Sequence, residues 1–394
     1  MSQTVPAEDI ASRAIDILGR LVAFDTTSRG SNLELIAWVE AYLADLGVPS
    51  RRIANADGSK ANLHAVIGPS VEGGVVLSGH TDVVPVDGQP WTSDPFTLTP
   101  RTDGRLYGRG TCDMKGFLAL ALAAAPDLLA QPLTRPVHLA FSYDEEIGCL
   151  GAPDLIAAIA RESARPSLVI VGEPTDMVAV RGHKGVNSFQ VTVSGHEAHS
   201  SQPHLGASAN MAALRLMGEL VALSDKLAAD ADPASPFMPP HPTITVGVIH
   251  GGTAFNILAR ECVFGFDLRA PAGVDPQAVL ADFFASCRRM DAELKARFPK
   301  CGVTVTGRSS TPPLDPEEGG AAEAFARRLA GDNGPPRVVS YAAEAGQFQQ
   351  ACFSVVICGP GSIDQAHQPD EYVEVSQMQR GGAFMARLVE ALRS

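Results

Sequence analysis

Four short apolar runs constrain this chain more than any other feature: Asn62–Ile67, Val75–Ser78, Val137–Ser142 and Leu168–Val171. Each is β-branched or leucine-rich and is bounded by Gly, Pro or charged residues. Apolar runs of this length fit strands buried on both faces of a mostly parallel sheet. Between the second and third runs lies an Ala/Leu-rich stretch, about Lys115 to Ala130, predicted as helix. Upstream, Ser31-Asn32-Leu33-Glu34 has the form of a capping box, and Ile36, Val39, Leu43 and Leu46 follow at helical spacing until Gly47.

The pattern changes after about Val180. Strands are predicted at Asn187–Ser194, Thr243–Ile249, Glu261–Arg269 and Val303–Arg308, with helices at about Ala207–Leu223 and Pro276–Arg297. The order strand, helix, strand, strand, helix, strand is the split βαβ arrangement. Pro/Gly/Ser-rich stretches, Asp232–Pro242 and Ser309–Pro316, border or interrupt it. Strand and helix alternation then resumes at Arg337–Ser340, Val355–Cys358 and Gln377–Leu392. The expectation is an α/β domain, residues 1–183 and 309–394, with a mostly parallel mixed sheet sandwiched by helices. It is split by an inserted α+β domain, residues 184–308, of ferredoxin-like order.

A chain of 394 residues with 45% hydrophobic and 19% charged residues has the balance of a globular protein with a real core. Its formal charge of −13, with no Lys/Arg-rich run, argues against nucleic-acid or anionic-membrane partners. The longest apolar run, Phe117 to Ala125, falls short of a membrane span. The N-terminal MSQTVPAEDI has no basic or apolar signal region, so no secretion signal is expected. Seven scattered cysteines without a C-x-x-C pair read as reduced thiols in a cytoplasm, with neither a disulfide framework nor a thiolate zinc site.

The chemistry lies in histidines and carboxylates that follow the predicted strands. His80 and Asp82 follow Val75–Ser78, Glu145 and Glu146 follow Val137–Ser142, Glu173 follows Leu168–Val171, and His367 follows Val355–Cys358. Asp113 sits in the Gly-rich turn that opens the Ala/Leu helix. Ligand sites of open parallel sheets lie at the carboxyl ends of strands, so these residues can converge. Crowded carboxylates at a partly buried edge need a cation. Two divalent ions with one bridging hydroxide balance Asp113, Glu146 and Glu173, with His80 and His367 as neutral donors. A nitrogen and oxygen set without sulfur suits zinc, or cobalt or manganese in its place. Asp82, two residues beyond His80, can hold the imidazole tautomer. Of the adjacent Glu145 and Glu146, one can bind metal while the other serves as general base.

The segments Ser78-Gly79-His80-Thr81-Asp82-Val83-Val84-Pro85, Gly108 to Gly116, Asp144-Glu145-Glu146-Ile147-Gly148 and Gly172-Glu173-Pro174-Thr175 resemble the co-catalytic zinc aminoacylase and carboxypeptidase family. The resemblance implies that His80, Asp113, Glu146, Glu173 and His367 ligate two metal ions, with Asp113 bridging. It implies Glu145 as general base, Asp82 as orienter, and a cis peptide after Asp113. It further implies a homodimer through the inserted domain. From there His199, in Gly195-His196-Glu197-Ala198-His199-Ser200, would reach the partner subunit's site and donate to the oxyanion.

Within that family, Tyr341–Gln349 and Cys358–Tyr372 resemble the branch that hydrolyses N2-acetyl-L-ornithine to L-ornithine and acetate, a step of arginine biosynthesis. Arg181-Gly182-His183-Lys184-Gly185 and His199-Ser200-Ser201 depart from the desuccinylase pattern. For such a substrate, Arg269 and the backbone N–H groups of Gly359–Ser362 are expected to hold the carboxylate, Asn256 to hydrogen-bond the substrate or oxyanion, and Glu344 to read the distant ammonium. Arg109 and Lys184 read as structural, and Cys112 as a small packed thiol. Two other readings stay open: a sibling amidohydrolase, such as a succinyl-diaminopimelate desuccinylase or glutamate carboxypeptidase type, and a non-catalytic metal-binding dimeric scaffold.

Overall fold

The computed structural model describes residues 6–162 and 164–393. They divide into two units. The first comprises the chain up to Gly182, Leu314–Val338 and the residues from Ala343 onward; the second comprises His183–Pro313 and Val339–Ala342.

The first unit runs α1 (Ala7–Val22), α2 (Leu33–Asp45), β1 (Ser50–Ala54), β2 (Ala61–Ile67), β3 (Val75–His80), β4 (Thr99–Pro100), β5 (Arg105–Tyr107), α3 (Lys115–Leu129), β6 (Val137–Ser142), α4 (Ala152–Ala160), β7 (Leu168–Pro174) and β8 (Val180–His183). The second unit follows as β9 (Gly185–Ser194), α5 (Ala209–Ala229), β10 (Thr243–Gly251), β11 (Glu261–Ala270), α6 (Pro276–Val279), α7 (Ala281–Arg297) and β12 (Gly302–Thr311). The chain then returns as α8 (Ala321–Ala330), β13 (Arg337–Val339), α9 (Ala345–Gln350), β14 (Ser354–Gly359), β15 (Tyr372–Glu374) and α10 (Val375–Leu392).

The main sheet has the order β1-β2-β6-β3-β7-β14-β8-β13. Its centre, β6, β3, β7 and β14, is parallel. Every residue of β3, β6 and β7 is buried, which is why these strands read as unbroken apolar runs. β2 runs antiparallel to β6 and extends the sheet toward β1. Helix α3 is buried from Lys115 through Ala125 and packs against α1 and α10. Gly172 lets it approach β7, because a Cβ there would lie 1.9 Å from the Phe117 ring. Lys115 Nζ, also buried, donates to the carbonyls of Leu21 (3.0 Å) and Phe24 (2.9 Å), which close the end of α1.

The capping box expected at Ser31 does not form. Asn32 occupies the cap position of α2. Its buried amide donates to Ala61 O (2.8 Å) and Thr81 Oγ1 (2.9 Å) and accepts from Ala61 N (3.0 Å). Bonding to the start of β2 therefore claims Asn32, while Ser31 Oγ donates to Ser59 O (2.6 Å) and accepts from Leu33 N (3.2 Å).

In the second unit the antiparallel sheet β10-β11-β9-β12 has the ferredoxin-like order. Burial alternates along β11, the signature of one covered face. Val191, Phe264 and Leu268 join Leu216 of α5 and Phe283 of α7 in the core. Among the described residues, no helix is long and apolar enough to cross a membrane.

Candidate active site

Most residues of the site are delivered by chain segments leaving the parallel part of the sheet, and Asp113 comes from the turn between β5 and α3. His80 ends β3, Glu173 lies near the end of β7, and Ser142, the last residue of β6, leads into Asp144, Glu145 and Glu146. Asp113 lies in the turn before α3, where the Asp113–Met114 peptide is cis. His367 lies between β14 and β15.

These residues form two groups that share Asp113. His80 Nε2 is 3.0 Å from Asp113 Oδ1 and 4.0 Å from Glu173 Oε1. His367 Nε2 is 3.3 Å from Asp113 Oδ2 and 3.0 Å from Glu146 Oε2. In each group, one donor atom from every residue lies within 4.8 Å of the others. Glu146 Oε1 and Glu173 Oε1 are buried with no hydrogen-bond partner. Two compact nitrogen and oxygen triads with orphaned carboxylate oxygens fit a pair of divalent cations bridged by Asp113.

The electrostatics point the same way. Burial, reinforced by the Asp113 charge, raises Glu146 to about 7 and Glu173 well above the carboxylate range. Burial opposes ionisation of Asp113, but hydrogen bonds from His367 and His80 hold it well below that range. Hydrogen bonds to Asp113 and Glu146 lift His367 to about 10. The cluster thus pairs its carboxylates with histidine protons, the positive charge that a cation otherwise supplies.

Asp82 acts differently from expectation. His80 Nδ1 meets the backbone carbonyl of Asp82 at 2.9 Å, while the nearer carboxylate oxygen is 3.6 Å away. The carboxylate instead accepts from Ser28 Oγ (2.6 Å), Glu145 N (3.1 Å) and Glu146 N (3.3 Å). One residue therefore fixes the imidazole through its main chain and the Glu145–Glu146 turn through its side chain. That segment is a turn rather than extended, with Asp144 at φ 56° and paired to Lys60. Cys149 Sγ donates to Glu145 Oε1 at 3.2 Å. Burial, with the neighbouring Glu146 and Asp113 charges, pushes Glu145 up to about 8.

Several of the other expected substrate-binding groups have partners within the protein. Glu344, expected to read an ammonium, is 1% exposed. Ser78 and Ser142 each donate a hydroxyl to one of its oxygens. Two of the N–H groups assigned to a substrate carboxylate are already used: Gly359 N donates to Thr175 Oγ1 (3.1 Å) and Ser362 N to Gln365 Oε1 (3.2 Å). Arg269 Nε donates to Asp267 Oδ2 at 3.1 Å within the second unit. There His199 Nδ1 lies 2.7 Å from Ser201 Oγ, and Ser200 N donates to the carbonyl of Asn256. Sequence reasoning missed Ser28, Lys60, Cys149 and Glu371. Only Glu371 carried a signal, its place four residues after His367.

The model of peptidase family M20/M25/M40 matches residues 76–391. An acetylornithine deacetylase of Myxococcus xanthus is 38% identical over 99% of this chain and 98% of its own. One from Proteus mirabilis is 35% identical over 93% of this chain and 92% of its own. Human carnosine dipeptidase 1 superposes with a TM-score of 0.76 at 18% identity, covering 98% of this chain and 99% of its own, and so shares the fold. With both the full-length relatives and the sheet-edge geometry in accord, the chain belongs to peptidase family M20/M25/M40.

Proposed function

We propose that the protein hydrolyses the amide of N2-acetyl-L-ornithine to L-ornithine and acetate, a step of arginine biosynthesis, in the cytoplasm. The observation that carries the chemistry is the pair of triads joined through Asp113, with Glu145 beside them. The substrate rests on the names of the relatives that match nearly the whole chain.

In this reading His80, Asp113 and Glu173 hold one divalent ion, and Asp113, Glu146 and His367 the other, with zinc or cobalt best suited to these donors. When bound, the ions supply Lewis-acid polarisation of the amide carbonyl and acidify water. Glu145 removes the proton from the attacking water and returns it to the leaving nitrogen of ornithine. Asp82 keeps the Glu145–Glu146 turn and the His80 ring in place. His199, supplied from a partner subunit, donates to the developing oxyanion. Asn256 and Arg269 contact the substrate from the same unit.

A homodimer through the second unit agrees with its exposed apolar side chains. Met211, Leu214 and Val221 on α5 and Val248 and Ile249 on β10 are each at least half exposed. The deciding experiment is turnover of acetylornithine by zinc- or cobalt-loaded protein, beside succinyl-diaminopimelate, acyl-glutamates and dipeptides. Preferred turnover of another substrate overturns the substrate assignment; no turnover of any overturns the enzymatic one.

A further inference from the structure

Two segments far apart in sequence, the Asp113 turn and the His367 loop, meet on one buried carboxylate. Glu371 is 1% exposed. Its Oε1 accepts from the backbone N–H of Cys112 (2.9 Å) and Asp113 (3.1 Å). Its Oε2 accepts from Gly110 N (3.0 Å) and Arg109 Nη1 (2.8 Å). Its own carbonyl accepts from Gly108 N at 2.9 Å. With each oxygen engaged by two donors and no access to solvent, this carboxylate acts on the fold around it rather than on a substrate.

The His367 loop needs such an anchor. His367 and Asp370 have φ of 64° and 54°, a left-handed conformation that costs a non-glycine residue about 1 kcal/mol or more and persists only where contacts over-determine it. Gln89 Nε2 donates to His367 O at 2.9 Å, and the Asp370 carboxylate accepts from Thr92 N (2.9 Å) and Oγ1 (2.8 Å). Those contacts tie the loop to the segment around Gln89. Among the described residues, only the Glu371 carboxylate takes the N–H of Asp113 itself.

We propose that Glu371 is a positioning residue that assembles the Asp113–Glu146–His367 triad by clamping the Asp113 turn to the His367 loop. The inference rests on the two-cation reading above and adds an asymmetry to it. Glu371 sets two of the three donors in that triad. It sets only one of three in His80–Asp113–Glu173, whose other donors come from β3 and β7. Glu371→Gln must turn an NH2 group toward N–H donors on one side, so the clamp breaks whichever way the amide lies.

The test is Co²⁺ titration of metal-stripped, full-length protein, followed by calorimetry and visible absorption. Wild type should take up two ions in resolvable steps. Glu371→Gln should keep the first step near its wild-type affinity and weaken the second by about tenfold or more. Glu371→Asp, which keeps the charge but withdraws it by one methylene, should weaken the second step less, and it decides alone should the Gln variant fail to fold. A folded variant that binds both ions as wild type does, or that weakens both steps equally, overturns the clamp while the two-cation reading stands. Wild-type protein that takes up no Co²⁺ overturns that reading, and the clamp with it.

Discussion

His367 Nε2 stands 3.0 Å from Oε2 of Glu146, so one imidazole nitrogen faces a carboxylate that burial and Asp113 have made reluctant to ionise. In metal-stripped protein at neutral pH, His367, held near 10, carries a proton there. A cation needs that nitrogen unprotonated. Metal uptake at pH 7 should therefore expel protons. The check is calorimetric titration with Zn²⁺ in two buffers of different ionisation enthalpy. The heats should differ by an amount corresponding to about one proton or more per chain, and identical heats would refute the arrangement.

Glu145 should be separable from the metal-binding groups. It lies outside both triads, and its carboxylate accepts from the Cys149 thiol. Glu145→Gln should lower kcat by roughly a hundredfold to ten-thousandfold, the range typical of a lost general base. Metal content, measured by atomic emission, should stay at the wild-type value. A variant that keeps most of its turnover would remove Glu145 from the proton-transfer role.

Glu344 should matter to stability and not to recognition of a substrate ammonium. Its two oxygens join Ser78, two residues before His80 on β3, to Ser142 of β6, the residue paired with His80. Glu344→Ala leaves a cavity and two buried hydroxyls without their acceptor, at a cost of about 2–4 kcal/mol. The expected result is a clear fall in the urea midpoint. The ratio of kcat/KM for acetylornithine to that for an acetylated apolar amino acid should not change. A selective loss on acetylornithine would restore the ammonium role.

What the sequence made legible follows from how directly each residue type reports its surroundings. β3, β6 and β7 are buried on both faces, so their composition had to be apolar throughout, and their runs announce them. His80, Glu146 and Glu173 stood out because they follow those runs at the sheet's carboxyl end, His367 because it follows β14, and Asp113 because it sits in the Gly-rich turn before α3. The direction in which an individual loop side chain points has no such signature. Glu344 turns inward beneath the strands, and Asp82 spends its carboxylate on the Glu145–Glu146 turn. Asn32 holds the cap position of α2 but spends its side-chain amide on β2. Each outcome depends on which polar groups, backbone or side chain, need a partner nearby, and that is a property of the assembled sheet.

The stacked pair His64–His138 makes a separate acid-sensitivity prediction. His64 Nε2 and His138 Nδ1 lie 3.1 Å apart on the adjacent strands β2 and β6, and both rings are buried. Burial, helped by the other ring, depresses His138 to about 4, and burial depresses His64 as well. Unfolded histidine titrates near 6.5. Below that pH the unfolded chain binds a proton that folded His138 refuses. The His138 contribution to stability is therefore whole above about pH 6.5 and falls as pH drops toward 4, by about 1.4 kcal/mol per unit. His183, also depressed to about 4 by burial, adds a loss of the same sign, so the His138 share must be isolated by difference. Urea unfolding at pH 7 and pH 5 should show wild type losing about 2 kcal/mol more than His138→Gln over that interval. The variant is less stable at pH 7 but flatter toward acid. Parallel acid curves for the two proteins would mean that His138 is already charged in the fold.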